Sequence, residues 1–281
     1  MMKRLASLAR ALLLLPGLCL AQSSDDPNLA LPNAIVTVAR DGYSIAGLAT
    51  HLDGPKTFAH GVALFPGSEG VIRLREENGR ILHDQVGNFL IRSRRQWLDE
   101  STLTLVVDAP SDRWPFFNEQ LRAAPRYGED LHALLAEVTR RYGVEDWTLV
   151  GTSLGTVTAF QGARMNPAIV KRLILTSSAL LPTRNGPGLS SVDWRELKVP
   201  LLWVHHVDDS CPPTPYREAR RAAESSMSPL VTVRGGGPFR GDRCGPYFPH
   251  GYFGLEREVV QAMRAWIRSG QVPADIVESR H

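Results

Sequence analysis

The segment Gly151-Thr152-Ser153-Leu154-Gly155 sets a serine between two glycines at Gly-x-Ser-x-Gly spacing. A serine hydroxyl becomes a useful nucleophile when a base takes its proton and nearby amides receive the charge that develops on the substrate. What the spacing supplies is shape. The apolar run Trp147 to Val150 leads into the turn, and the helical pattern Leu154 to Met165 leads out of it. A turn this tight between strand and helix holds the serine in a strained conformation with its Oγ lifted clear of the sheet. Glycines two residues before and after remove the Cβ atoms that would otherwise collide there. The first amides of the helix then point where negative charge forms. The bland alternative is a tight glycine turn with an incidental serine.

The elements that must carry such a turn are legible on both sides. Asn33 to Arg40 and Ser44 to Leu52 read as a β-hairpin around Asp41-Gly42. Val62 to Phe65, Leu103 to Val107, Trp147 to Val150, Leu173 to Thr176, Leu201 to Val204 and Leu230 to Val233 are short apolar runs expected of strands buried on both faces. Helical spacing covers Asn88 to Leu98, Tyr127 to Tyr142 with Gly143 as its stop, Leu154 to Met165, Tyr216 to Ser225 and Leu255 to Ile267. Such alternation implies an α/β fold: a mostly parallel central sheet with helices on both faces and the hairpin antiparallel at one edge. Ligands then bind outside the carboxyl ends of the strands.

The chain has 281 residues, 43% hydrophobic and 22% charged, which suits one globular domain. Residues 1–21 differ. Lys3, Arg4 and Arg10 precede or open an apolar stretch, Ala11 to Leu20, and Cys19-Leu20-Ala21 offers small residues where a signal peptidase reads. This is the pattern of a cleavable secretory signal peptide, with an uncleaved anchor as the alternative. Cleavage near Ala21 takes 32 basic residues to 29 against 29 acidic ones, so no basic face is implied and neither nucleic acid nor membrane is an expected partner. Residues 22–32 read as a flexible leader, 33–270 as the domain and 271–281 as a tail. A periplasmic or secreted location follows, and in an oxidising compartment Cys211 and Cys244 are expected to pair, two free thiols being the alternative.

With its strand and helix in place, the Ser153 turn resembles the nucleophile elbow of the α/β-hydrolase superfamily, and the likeness extends over roughly residues 35 to 270. The resemblance implies an acid after a later strand and a histidine near the C-terminus. His205-His206-Val207-Asp208-Asp209-Ser210-Cys211-Pro212 is similar to the superfamily's acid loop and puts the acid at Asp209, with Asp208 as the near alternative and His206 in place of the usual glycine. Pro249-His250-Gly251-Tyr252-Phe253 resembles the histidine loop, so His250 would be the general base. A disulfide between Cys211 and Cys244 would tie these two loops together. Of the other histidines, His51, His60, His83 and His132 read as surface residues, and His205 and His206 as packing around the acid loop. His205, His206, Asp208, Asp209 and Cys211 also compose a metal-like set, but they lack convergent ligand spacing, and no metal or other cofactor is expected.

Phe65-Pro66-Gly67-Ser68-Glu69-Gly70 follows the strand that in the superfamily supplies a second oxyanion amide, which implies Ser68 N–H and Leu154 N–H as the pair; a plain Pro-Gly turn is the alternative. Arg113, Trp114, Phe116 and Phe117 trail another strand and either line a substrate pocket or pack beneath their loop. The stretch between Leu175 and Leu201 is too short for a large helical lid. Together these features lead to an esterase with an acyl-enzyme intermediate and a small-molecule ester or acyl substrate. A peptidase, thioesterase or acyltransferase would use the same groups, and a non-catalytic binding protein is the alternative of a different class. Oligomeric state and substrate identity are not written in the motif.

Overall fold

The structure is a computed structural model that describes residues 26–184 and 186–277. The expected signal peptide lies outside the described residues, as does the end of the tail. Among the described residues eleven strands and six α-helices follow one another: β1 (Asn33–Ala39), β2 (Ser44–Thr50), β3 (His60–Phe65), β4 (Arg75–Glu77), β5 (Arg80–Leu82), α1 (Phe89–Arg92), β6 (Thr102–Val107), α2 (Glu119–Arg122), α3 (Pro125–Tyr142), β7 (Asp146–Ser153), α4 (Gly155–Met165), β8 (Val170–Ser178), β9 (Leu201–His206), α5 (Tyr216–Ser225), β10 (Leu230–Arg234), α6 (Glu256–Ser269) and β11 (Ile276–Val277). Nine strands form one sheet in the order β1-β2-β6-β3-β7-β8-β9-β10-β11. β1 pairs with β2 and β2 with β6 antiparallel, and every other pairing in this sheet is parallel. The expected mostly parallel sheet with its opening hairpin at one edge is therefore present.

Why the central strands are apolar without interruption follows from where alternate residues go. Leu149, Leu173, Leu175, Leu201 and Trp203 pack with the α3 residues Leu131, Leu134 and Leu135 and the α4 residues Ala159 and Phe160. Their neighbours Val150, Ile174, Leu202 and Val204 point to the opposite face, against Phe89 and Leu90 of α1 and Val259, Met263 and Trp266 of α6. Both faces are covered, so the period-2 alternation produces no polar stripe. Burying each such side chain contributes about 1.5–3 kcal/mol. Helix α3 ends where Gly143 takes φ 61° and returns its N–H to Thr139 O at 2.8 Å. No helix among the described residues is long and apolar enough to cross a membrane.

Three local features depart from the pattern reading. The helix expected over 88–98 is a single turn, α1, followed by a 3-10 turn, Arg94–Trp97; Ser93 separates them, and Arg94 is fully buried. Asn78-Gly79, both at positive φ, closes the small ribbon β4–β5. Within the expected tail, Ile276 and Val277 pair with Val233 and Arg234 and add a ninth strand to the sheet.

The segment read as a flexible leader is packed from Asp26 onward. Asp26 caps a 3-10 turn, Pro27–Ala30, and its carboxylate meets both the Arg94 guanidinium and His83 Nε2, the latter at 2.8 Å. His83 is accordingly buried, not on the surface as its loop position suggested. Burial works against ionising Asp26, yet the His83 hydrogen bond and the Arg94 charge hold its carboxyl well below the usual carboxylate range. Asp26→Asn is expected to cost about 3 kcal/mol of stability at pH 7, because Arg94 is left buried without its counter-charge. Since the folded carboxyl titrates below its unfolded value, this contribution is complete above about pH 4 and is lost as the pH falls further. Urea unfolding of both proteins at pH 7 and pH 3 should show a wide gap narrowing; a gap of constant size would contradict the assignment.

Candidate active site

Ser153 is the last residue of β7 and has φ 53°, a left-handed conformation outside the range of extended strand. The surrounding chain leaves it little choice. A Cβ at Gly151 would come within 2.5 Å of Gly155 O, and one at Gly155 would overlap the carbonyl oxygen of Phe65. The second contact presses the end of β3 against the start of α4. It brings the turn after β3 to the serine: a Cβ at Gly67 would lie 2.6 Å from Ser153 Cβ. Thr156 Oγ1 donates to Ser153 O and accepts from Ala179 N, tying the elbow to the strand beside it.

The expected acid and base meet across two loops. His250 Nδ1 lies 3.0 Å from Asp209 Oδ2, and both residues are buried. Asp209 Oδ1 accepts the Cys211 N–H at 3.0 Å, and Oδ2 accepts the Thr214 hydroxyl at 2.9 Å. Asp208 faces solvent, with 71% of its side chain exposed, and its N–H is bonded to His206 Nδ1. Of the two neighbouring aspartates, Asp209 is the one in contact with His250. Ser153, His250, Ser68 and Leu154 line one cleft of about 680 Å³. The apolar side chains of Val71, Phe89, Ala179 and Pro213 form part of its wall.

The histidine loop is fixed from below by Tyr252 and Ser177, to which the sequence reading assigned no role. Tyr252, at φ 56° and fully buried, donates its hydroxyl to Val204 O at 2.6 Å and accepts from Ser177 N–H at 3.0 Å. Ser177 Oγ in turn donates to His250 O at 2.8 Å. Burial pushes the Tyr252 phenol upward, so it stays a neutral donor. His205 sits underneath, its Nε2 accepting the Ser178 N–H, and burial pulls its pKa down to about 3, leaving it neutral. His206 spends both nitrogens on Asp208 N–H and Gly235 O. The histidines that resembled metal ligands are thus structural, Cys211 is in a disulfide, and no metal-sized cluster of three or more such groups occurs among the described residues.

Cys211 and Cys244 are bonded, as expected, over a separation of 33 residues. Both line the cleft. The bridge begins two residues beyond Asp209 and ends six before His250. The candidate wall residues divide. Trp114, Phe116 and Phe117 border a second depression of about 400 Å³ that shares Ser68 and Leu154 with the cleft. Phe117 is largely buried against Tyr127, while Phe116 is 63% exposed. Arg113 pairs with Asp112 at 3.3 Å and lines neither space. Asp108, just after β6, is a buried clamp: its carboxylate accepts the N–H groups of Ile72, Leu74 and Ala109. Burial raises its pKa, and those amides oppose the rise. Between β8 and β9 the described residues carry one 3-10 turn, Trp194–Glu196, and no longer helix, so nothing there forms a large lid.

No family model matches the sequence, and no curated protein matches it significantly. Solved structures do share the fold. Est1E from Butyrivibrio proteoclasticus is 15% identical, with a TM-score of 0.57 over 83% of this chain and 97% of its own. A dienelactone hydrolase from Anabaena variabilis is 15% identical, with a TM-score of 0.53 over 85% and 97%. The carboxylesterase CesB of Bacillus subtilis is 14% identical, with a TM-score of 0.54 over 88% and 95%. The chain has the α/β-hydrolase fold.

Removing the bridge in a Cys211→Ser, Cys244→Ser variant is expected to cost about 2–4 kcal/mol, set chiefly by the loop it closes. Denaturant unfolding with and without reductant measures this, and reductant should leave the double variant unaffected.

Proposed function

We propose that this protein is an exported serine hydrolase that cleaves small carboxylic esters through Ser153, His250 and Asp209. One arrangement carries the reading: a serine in the strained turn between strand and helix, in the same cleft as a buried histidine whose Nδ1 is engaged by a buried aspartate. With Nδ1 facing Asp209, Nε2 is the nitrogen left for the serine. In this mechanism Ser153 Oγ attacks the ester carbonyl carbon while His250 Nε2 takes its proton. Asp209 stabilises the imidazolium and fixes its tautomer. The oxygen that becomes negative is received by the amides of Ser68 and Leu154, each worth about 3 kcal/mol at the transition state. His250 then returns the proton to the departing alkoxide, leaving an acyl-enzyme. Water deprotonated by the same nitrogen releases the acid.

The choice of ester over the other acyl substrates rests on the open, largely apolar cleft and on the fold shared with a carboxylesterase and a dienelactone hydrolase. Export rests on the N-terminal pattern and on the Cys211–Cys244 bridge, which persists in an oxidising compartment.

A fluorophosphonate probe should label the oxidised protein, and Ser153→Ala should abolish the labelling. Asp209→Asn should lower kcat on a short-chain ester by about 10⁴-fold, since an amide favours the wrong imidazole tautomer. Asp208→Asn should stay within a few-fold of wild type. If the two substitutions exchanged effects, the acid would have to be reassigned; an unlabelled wild type would remove the serine-hydrolase reading altogether.

A further inference from the structure

Arg122, at the end of α2, is fully buried, and its environment is unusual for a guanidinium. Among the described residues no carboxylate lies within ion-pair distance of it, and Glu119 acts on it only through space, Glu119's own Oε2 being bonded to Gly188 N–H. Burying an arginine without a contacting counter-charge is costly, so its hydrogen bonds must hold something that matters. Nη2 donates to Ser68 O at 3.1 Å and to Glu69 O at 2.8 Å. Nη1 donates to Thr158 Oγ1 at 2.8 Å. The face of the group rests 4.4 Å from the centre of the Phe117 ring. Burial lowers its pKa to about 10, so it remains charged at neutral pH.

The fork thus joins the backbone of one segment to a side chain of another. One is the turn that carries the Ser68 amide, a residue at φ 53°; the other is the first turn of α4, which follows directly on the Leu154 amide. These are the two amides assigned to the oxyanion, and they come from different elements. A planar guanidinium can bond acceptors on both at once, which a lysine ammonium on a flexible stem cannot reproduce. Gly70 completes the seat, since a Cβ there would come within 2.6 Å of Nη2.

We propose that Arg122 is a positioning residue for acyl transfer: it cross-links the Ser68 turn to helix α4 and so sets the spacing of the two oxyanion amides. The proposal rests on the serine-hydrolase reading above. Its effect belongs to the transition state, because the spacing is used only when the carbonyl oxygen becomes tetrahedral and charged.

The test uses the oxidised full-length protein and Arg122→Met, which keeps the bulk of the stem without the fork. In the folded fraction, kcat for a short-chain ester and the second-order rate of fluorophosphonate labelling should both fall by about tenfold to a hundredfold, with KM within about twofold. Arg122→Lys should recover little of the loss. A purely structural role would instead lower the melting temperature while leaving both rates of the folded fraction at wild-type level, and that result overturns the proposal. Should Arg122→Met fail to fold, Thr158→Val decides: it keeps the arginine but removes the α4 end of the link, and unchanged kcat and labelling rate there also overturn it. Wild-type labelling that depends on Ser153 is the control. Its absence would defeat the hydrolase reading, whereas its presence with undiminished labelling of Arg122→Met defeats this inference alone.

Discussion

The close approach of Gly155 to the Phe65 carbonyl binds the molecule's working end together. Here the end of β3 and the start of α4 touch backbone to backbone, with no room for a side chain between them. From this contact follow the left-handed twist at Ser153, the position of Gly67 against the serine and the sharing of Ser68 and Leu154 by one cleft. The buried sheet makes the arrangement rigid: β3 and β7 are adjacent central strands, paired in register from His60 with Asp146 to Phe65 with Gly151, and packed on both faces. Strain at one residue persists because everything around that residue is over-determined.

Around this fixed centre the other participants arrive from loops, and each loop is held by polar groups hidden underneath. Asp108 accepts three backbone amides and pins the chain that leaves the Ser68 turn. Tyr252 and Ser177 hold the backbone of His250 to β8 and β9. Thr214 bonds to the Asp209 carboxylate and approaches His250 Nδ1 at 3.3 Å. None of these side chains faces the cleft as a reacting group. They hold in place the residues to which the proposed reaction assigns its steps, as a site requires when its geometry must hold to a fraction of an ångström.

This division explains what could be read from the residues and what could not. Strands with both faces buried announce themselves as unbroken apolar runs, and glycines at a backbone contact are forced, so the sheet and the Ser153 turn were legible. The pairing of Asp209 with His250 needed the resemblance, because 41 residues separate them and no local pattern joins them. Arg122 left no trace: an arginine in a polar-looking stretch reads as surface, and only tertiary contact reveals three acceptors awaiting it. Arg94 misled in the same way. It is buried against Asp26, at the break in a helix that periodicity alone would have continued. The two-residue strand β11 is shorter than any pattern can register.

The disulfide is asymmetric, since Cys211 is 2% exposed while Cys244 is at the surface. A thiolate from solvent therefore meets the Cys244 sulfur, and the bond that breaks releases Cys211 as the leaving group. Reduction would thus begin as an adduct on the outer loop and deliver a free thiol inward, two residues from the Asp209 carboxylate. Attack from outside and consequence inside are separated by a single bond.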